Sequence, residues 1–215
     1  MTQRILIHGL GQNTSAWDNV VSAMPEPERI YCPDLFALLE QHDATYTNIY
    51  RAFSMYCDSI PGSLNLCGLS LGAMLVLQYS LEYPDKVSSI VLIGAQYKAP
   101  KLLLKLQNGI FRLLPARFFS SKGIQKEQFI RLTASMSVFD FSNKLGNISC
   151  PSLIACGEKD RANRKAAEYM ATNISKAQLQ VVAGAGHEVN VDAPQDLASL
   201  IQTFFEGVGT AQQNV

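Results

Sequence analysis

Short apolar runs alternate with longer amphipathic stretches along this chain. The apolar runs are 4–8, 29–32, 64–67, 88–93, 152–156 and 178–182. Most are apolar on both faces, as strands are when helices cover both sides of a parallel sheet. Helix-length stretches lie between them, near residues 15–23, 46–59, 71–83, 162–173 and 193–206. This alternation predicts an α/β fold with a doubly wound, mostly parallel sheet of about six strands.

The stretch 96–146 interrupts this alternation. It contains no clear strand and is rich in Leu and Phe at helical spacing, with breaks at Gly109, Pro115 and Gly123. We interpret it as a short helical cap inserted over the carboxyl ends of the strands. The core is therefore predicted to comprise residues 1–95 and 147–206. The polar, glycine-containing stretch 207–215 is predicted to be a flexible tail.

Composition and charge narrow the functional classes. The 215 residues suit one domain, and 18 basic and 18 acidic residues give no net charge. This balance offers no electrostatic support for a nucleic-acid partner. Apolar runs are too short for a transmembrane segment or a secretory signal. The five cysteines lack metal-type spacing and are expected to be reduced thiols, which predicts a cytoplasmic protein.

The most specific chemical signal is Gly68-Leu-Ser-Leu-Gly72, which follows a predicted strand and opens a predicted helix. A serine on such a tight turn stands clear of the sheet, and the flanking glycines allow close approach of the backbone. The following helix N-terminus stabilises negative charge that develops beside it. The pattern predicts a nucleophile elbow with Ser70 as the nucleophile.

A serine nucleophile needs a base, and the chain has three histidines. His187 follows the strand 178–182, so it is expected at the same sheet edge as Ser70. His42 lies in a polar segment with no comparable placement. His8 ends the first strand and is predicted to be a structural histidine bonded to nearby backbone. The sequence therefore favours His187 as the base.

The acid that orients the base is expected at a strand end between Ser70 and His187. The segment 156–160 offers Glu158 and Asp160, and the end of the preceding strand carries no acid. Asp160 is preferred because it lies farther along the loop and has more reach, with Glu158 in reserve. The alternative for Asp160 is a surface charge or a helix cap.

An oxyanion formed at Ser70 needs backbone N–H donors. The amide of Leu71, next to the nucleophile, is one candidate. The amide of Leu10, in the loop His8-Gly-Leu-Gly-Gln12, is the other. The chain lacks the spacing of a phosphate loop and of metal-binding His or Cys pairs, so we predict neither a cofactor nor a metal.

These motifs resemble the α/β-hydrolase superfamily, specifically its small cytoplasmic bacterial carboxylesterase-like serine hydrolases. The resemblance rests on segments in the family's order, namely 8–11, 68–72, 140–145, 148–153, 156–160, Gly186-His187, Pro194 and Phe204. It implies Ser70 as nucleophile, His187 as base and Asp160 as its partner, with Leu10 and Leu71 amides in the oxyanion hole. The first strand resembles the family's third, so the fold is expected to be N-terminally shortened.

The leading hypothesis is a carboxylesterase-like enzyme that cleaves a small or medium acyl ester or thioester through an acyl-enzyme intermediate. C–C bond hydrolysis or lyase chemistry with the same triad is an alternative. A hydrolase-like binding protein without turnover is another. The family's diversity means that fold alone does not name the substrate.

The zero net charge hides an uneven distribution. The stretch 98–131 holds eight basic residues and the single acid Glu127, a net charge of +7, and the rest of the chain carries −7. Three interpretations of these cations are open: solvated surface groups, groups that steer an anionic ester, and groups that dock on a membrane surface.

Overall fold

Six parallel strands form one sheet in the computed structural model, which describes residues 2–40, 42–99, 114–115 and 125–213. The strands are β1 (Gln3–Ile7), β2 (Ile30–Tyr31), β3 (Leu64–Leu69), β4 (Val87–Ile93), β5 (Ser152–Gly157) and β6 (Ala177–Val182). Their order across the sheet is β2-β1-β3-β4-β5-β6, and each neighbouring pair is parallel. The α/β fold predicted from the apolar runs is therefore confirmed.

The helices follow the predicted amphipathic stretches, with differences at two places. They are α1 (Asp18–Ser22), α2 (Tyr46–Ser59), α3 (Leu71–Glu82), α4 (Lys126–Ser135), α5 (Arg161–Asn173), α6 (Val189–Asp192) and α7 (Pro194–Gln213). The predicted helix 15–23 is divided into a 3-10 turn, Thr14–Trp17, and the short α1. The last helix continues to Gln213, past its predicted end at residue 206 and into the segment predicted to be a tail.

Successive strand side chains point to opposite faces of the sheet, and an apolar core lies on each face. On β1, Ile5 and Ile7 pack with buried residues of α2, α3 and α5, whereas Leu6 packs on the other face with residues of α1, α6 and α7. Every residue of β3 and β5 is buried. This burial on both faces explains why the strands have continuous rather than alternating apolar sequences.

The strand order places two loops together at the carboxyl edge. The chain leaves β1 toward β2 on one side, whereas β3 is followed by β4 on the other side. The loops after β1 and β3 therefore diverge from adjacent strands, and such a change of direction opens a crevice where ligands bind in α/β sheets. This is the edge on which the sequence places Ser70 and the loop His8–Gln12.

The proposed cap lies partly outside the described residues, because 100–113 and 116–124 are not among them. Within the rest of it, α4 contributes Leu132 to the core on the α2 face, and Lys98 pairs with Asp140 in an isolated antiparallel bridge. The five cysteines are free, and four of them are buried. In the part of the chain that the structure describes, no helix combines the length and apolarity needed to cross a membrane.

Candidate active site

Ser70 occupies the turn between β3 and α3 in a backbone conformation that residues other than glycine rarely adopt. Its φ is 54° and its ψ is −111°. Its N–H donates to the main-chain oxygen of Ile93 at 2.8 Å, which ties the turn to the end of β4. A non-glycine residue with positive φ is held there only when its surroundings enforce it, as at a nucleophile elbow.

The two glycines that flank this serine are required by close backbone packing. A Cβ on Gly68 would overlap main-chain atoms of Gly72 and Ala73, and a Cβ on Gly72 would overlap the main-chain oxygen of Ile7. The Gly-Leu-Ser-Leu-Gly sequence thus lets α3 begin directly against β1 and β3. The close packing of backbone therefore explains why both flanking positions are glycine.

His187 and Asp160 form a hydrogen-bonded pair. His187 lies in the loop between β6 and α6, and its Nδ1 is 2.8 Å from Oδ2 of Asp160, which follows β5. The Asp160 side chain is 4% exposed, whereas that of His187 is 41% exposed. Burial alone would raise the pKa of Asp160, but hydrogen bonds from His187 and Asn163 hold it below its ordinary value. Asp160 is therefore an ionised acceptor for the imidazole.

Asp160 is also the N-cap residue of α5. One of its carboxylate oxygens accepts the N–H of Asn163 at 3.3 Å, as an N-cap does. The sequence left open whether Asp160 contacts the histidine or caps a helix, and the same carboxylate makes both contacts. The cap fixes the side-chain direction, and the free lone pairs remain available to His187.

Gly94 brings the serine turn and the histidine pair to one place. This residue follows β4 with a φ of 55°, directly after the Ile93 carbonyl that binds the Ser70 amide. A Cβ on Gly94 would lie 2.9 Å from Cε1 and 3.0 Å from Nδ1 of His187. The imidazole thus packs on the bare backbone at the end of β4.

The loop after β1 borders Ser70 from the other side. A Cβ on Gly9 would lie 3.5 Å from the Cβ of Ser70. Gln12 shapes the loop by accepting the Gly9 N–H at 3.3 Å, and its amide exchanges two 3.3 Å hydrogen bonds with Asn190 of α6. The Leu10 and Leu71 amides of this region have no hydrogen-bond acceptor among the described residues.

The remaining candidate residues have other partners. His8 is fully buried, with Nδ1 donating to the Gly9 carbonyl at 2.9 Å and Nε2 accepting the Leu35 N–H at 3.1 Å. Burial lowers its pKa, and the predicted structural role is confirmed. The Glu158 carboxylate accepts the Gly184 N–H at 2.8 Å, and His42 Nδ1 donates to the Leu39 carbonyl at 3.1 Å.

Sequence reasoning missed two residues that contact the candidate site. Asn163 contacts both oxygens of Asp160, and Gln96 contacts the Asn163 amide. The available signal was weak, namely an Asn three residues after a candidate helix-capping Asp. The described residues contain no group of three or more His, Cys, Asp or Glu side chains placed to hold a metal ion.

Comparison with known proteins identifies the family. The model of the alpha/beta hydrolase family matches residues 5–200. The chain belongs to this family. A thermophilic esterase from Thermogutta terrifontis shares the fold of this α/β-hydrolase with a TM-score of 0.80 at 18% identity, over 97% of this chain and 90% of that one.

Sequence comparison adds two relatives of this α/β-hydrolase, each matched over only part of its own length. The pimeloyl-[acyl-carrier protein] methyl ester esterase of Nitrosomonas europaea is 25% identical over 91 residues, which are 42% of this chain and 36% of the relative. The biotin biosynthesis bifunctional protein BioHC of Cellvibrio japonicus is 24% identical over 247 residues, which cover 96% of this chain and 48% of the relative. The match thus spans less than half the length of either relative.

Proposed function

We propose that this α/β-hydrolase is a serine esterase that cleaves a small or medium acyl ester or thioester with the triad Ser70, His187 and Asp160. The observation that carries the proposal is the 2.8 Å bond from His187 Nδ1 to Asp160, with the imidazole packed on Gly94, whose preceding carbonyl binds the strained Ser70 turn. Because Nδ1 is engaged with Asp160, Nε2 is the ring nitrogen left to accept a proton from serine.

The reaction then proceeds in two halves. His187 Nε2 accepts the hydroxyl proton as Ser70 Oγ attacks the carbonyl carbon, and the carbonyl oxygen becomes an oxyanion. The Leu10 and Leu71 amides are its proposed donors. His187 returns the proton to the departing alcohol or thiol, which leaves an acyl-serine. Water then attacks the acyl-serine and gives a proton to His187, which passes it to Ser70 Oγ as the acid leaves.

The proposed substrate is an anionic ester. The relative from Nitrosomonas europaea is named for a pimeloyl methyl ester on an acyl-carrier protein, which supports an acyl ester as the reacting group. The +7 stretch 98–131 supports negative charge on the substrate, since cations attract such a ligand over long range. Most of that stretch lies outside the described residues, so this part of the proposal rests on sequence charge.

Replacement of Ser70 by alanine tests the proposal. Purified wild type and Ser70→Ala are compared by fluorophosphonate labelling and by turnover of a panel of acyl esters of rising chain length. We expect labelling to be abolished and kcat to fall by several orders of magnitude, with an unchanged melting temperature. The control is Ser22→Ala at the exposed end of α1, where the hydroxyl bonds only the Asn19 carbonyl. Wild-type turnover by Ser70→Ala would overturn the triad.

The same panel separates the alternatives. Labelling of Ser70 without ester turnover directs the search to C–C substrates, where product analysis identifies the broken bond. Absence of both labelling and turnover in the wild type favours a binding protein on a hydrolase fold. Only the combination of labelling, ester turnover and dependence on Ser70 supports the proposal.

A further inference from the structure

The Asn163 side chain contacts both oxygens of the Asp160 carboxylate. Its Nδ2 lies 2.9 Å from Oδ1 and 2.8 Å from Oδ2 of Asp160, and its main-chain N–H is 3.3 Å from Oδ1. The same Nδ2 is 3.1 Å from Nδ1 of His187. Both nitrogens carry hydrogens directed at Asp160, so this short separation arises because two donors converge on one oxygen.

Gln96 determines which way the Asn163 amide points. Its Nε2 donates to Oδ1 of Asn163 at 2.6 Å. With Oδ1 held in this way, Nδ2 faces the carboxylate. The reversed amide would set Oδ1 against the negative Asp160 oxygens and Nδ2 against another donor, so both contacts would become repulsive. The chain from Gln96 to Asn163 to Asp160 to His187 therefore has one satisfied arrangement.

We propose that Asn163, locked by Gln96, is a positioning residue that keeps Asp160 ionised and directed at His187. This inference rests on the proposed esterase function only in that His187 acts as the base. The three segments involved are the end of β4, the first turn of α5 and the loop before α6. The network thus connects the imidazole, whose side chain is 41% exposed, to the end of β4 and to α5.

Among the described residues, few titratable groups lie near the Asp160 carboxylate. In the described parts of the chain, the titratable groups that face Asp160 are His187 and the Cys156 thiol, which lies 3.6 Å from the Asp160 main-chain oxygen. Burial raises the pKa of Cys156, so the thiol stays neutral in the working range of a serine esterase. Loss of the Asn163 donor therefore acts on the Asp160 and His187 pair alone.

The first test is Asn163→Leu, which keeps the side-chain size and removes the donor. We expect kcat to fall roughly tenfold to a hundredfold with little change in KM, as for other residues that orient a functional side chain. Without this donor the Asp160 carboxylate is less acidic, and its negative charge stabilises the protonated form of His187 more strongly. The acidic limb of kcat/KM against pH should then move up by roughly half to one pH unit.

The matched control is Asn173→Leu at the other end of α5. That amide donates to the Tyr169 carbonyl and is exposed. It should leave kcat and the pH profile unchanged. An Asn163→Leu enzyme with wild-type kcat and an unmoved acidic limb would overturn the inference.

The second test uses Gln96 and does not depend on whether Asn163→Leu folds. Gln96→Glu has nearly the same shape but offers only acceptors and adds a negative charge, so it should compete with Asp160 for the Asn163 Nδ2 donor. Gln96→Leu merely removes the lock. We expect Gln96→Glu to be the slower enzyme, at least severalfold below Gln96→Leu. A simple packing role predicts the opposite order, and that order would refute the lock.

A spectroscopic measurement separates this inference from the esterase proposal. The hydrogen-bonded His187 Nδ1 proton gives a low-field NMR signal that needs no substrate. Asn163→Leu should shift or broaden it, and Asn173→Leu should not. If Ser70→Ala retains turnover, the esterase proposal fails while this arm still tests the network. If Ser70→Ala is inactive and Asn163→Leu leaves turnover and the signal unchanged, only the network fails.

Discussion

Asp160 serves two neighbours with one carboxylate, since it caps α5 and binds His187. Asp160→Asn separates these roles, because asparagine caps a helix as well as aspartate does. Its amide, however, favours the wrong imidazole tautomer. We expect kcat to fall by a factor on the order of 10⁴ with little loss of thermal stability, as measured by ester turnover and calorimetry.

The control for that substitution is Glu158→Gln, at the other acid of the same loop. Glu158 bonds the Gly184 N–H rather than His187, and a glutamine oxygen can still accept that bond. Its kcat should stay near the wild-type value. The reverse ranking of the two variants would transfer the orienting role to Glu158.

The end of β4 is the element on which the site depends most closely. Gly94→Ala adds a methyl group where His187 Cε1 and Nδ1 lie at 2.9 and 3.0 Å, at a φ of 55°. The clash must displace the imidazole from Asp160. We expect a loss of kcat of at least a hundredfold, comparable to the cost of other small displacements of catalytic groups.

Gly184→Ala is the matched variant for this strand end. Its φ is 70°, but a methyl group there meets nothing within 4 Å. Both variants should lose about 1–2 kcal/mol of unfolding free energy from the left-handed backbone. Only Gly94→Ala should also lose turnover. Equal activities in the two variants would show that His187 tolerates the added methyl group.

Elements were predictable where one local pattern decides them. Strands such as β3 and β5 are apolar at nearly all positions because both faces are covered, and their runs are visible in the sequence. The last helix was predicted too short. Apolar Val208 continues the buried face of α7 beyond residue 206, and the glycines that indicate a helix end in the sequence lie within the helix.

The candidate site divides in the same way. Ser70 lies in a five-residue motif, and His187 and Asp160 follow from their positions after strands, so each has a local signal. Gln96 has none and Asn163 has only a weak one, because their roles depend on three distant segments meeting at one carboxylate. An isolated amide side chain in a sequence gives no indication of the partner it faces.

At the scale of the whole molecule, charge is separated although the total is zero. The stretch 98–131 carries +7 and the remainder −7. If the stretch attracts an anionic ester, the attraction is long-range and salt must weaken it. We expect kcat/KM for an anionic ester to fall clearly between about 20 and 300 mM salt. A neutral ester of equal chain length should respond little.

Variants in which uncharged side chains replace cations decide whether this segment is responsible for the salt effect. The test variant replaces Lys101, Lys105 and Arg112 together with glutamine. The control replaces the same amount of charge elsewhere, at the exposed Lys144, Lys165 and Lys176. Because both lower the net charge by three, a general effect of net charge changes them alike. Steering by the segment predicts that only the first variant loses the preference for the anionic ester and its salt dependence. Equal preferences in both variants, or an equal salt response of the two esters, would mean that these cations are solvated surface groups.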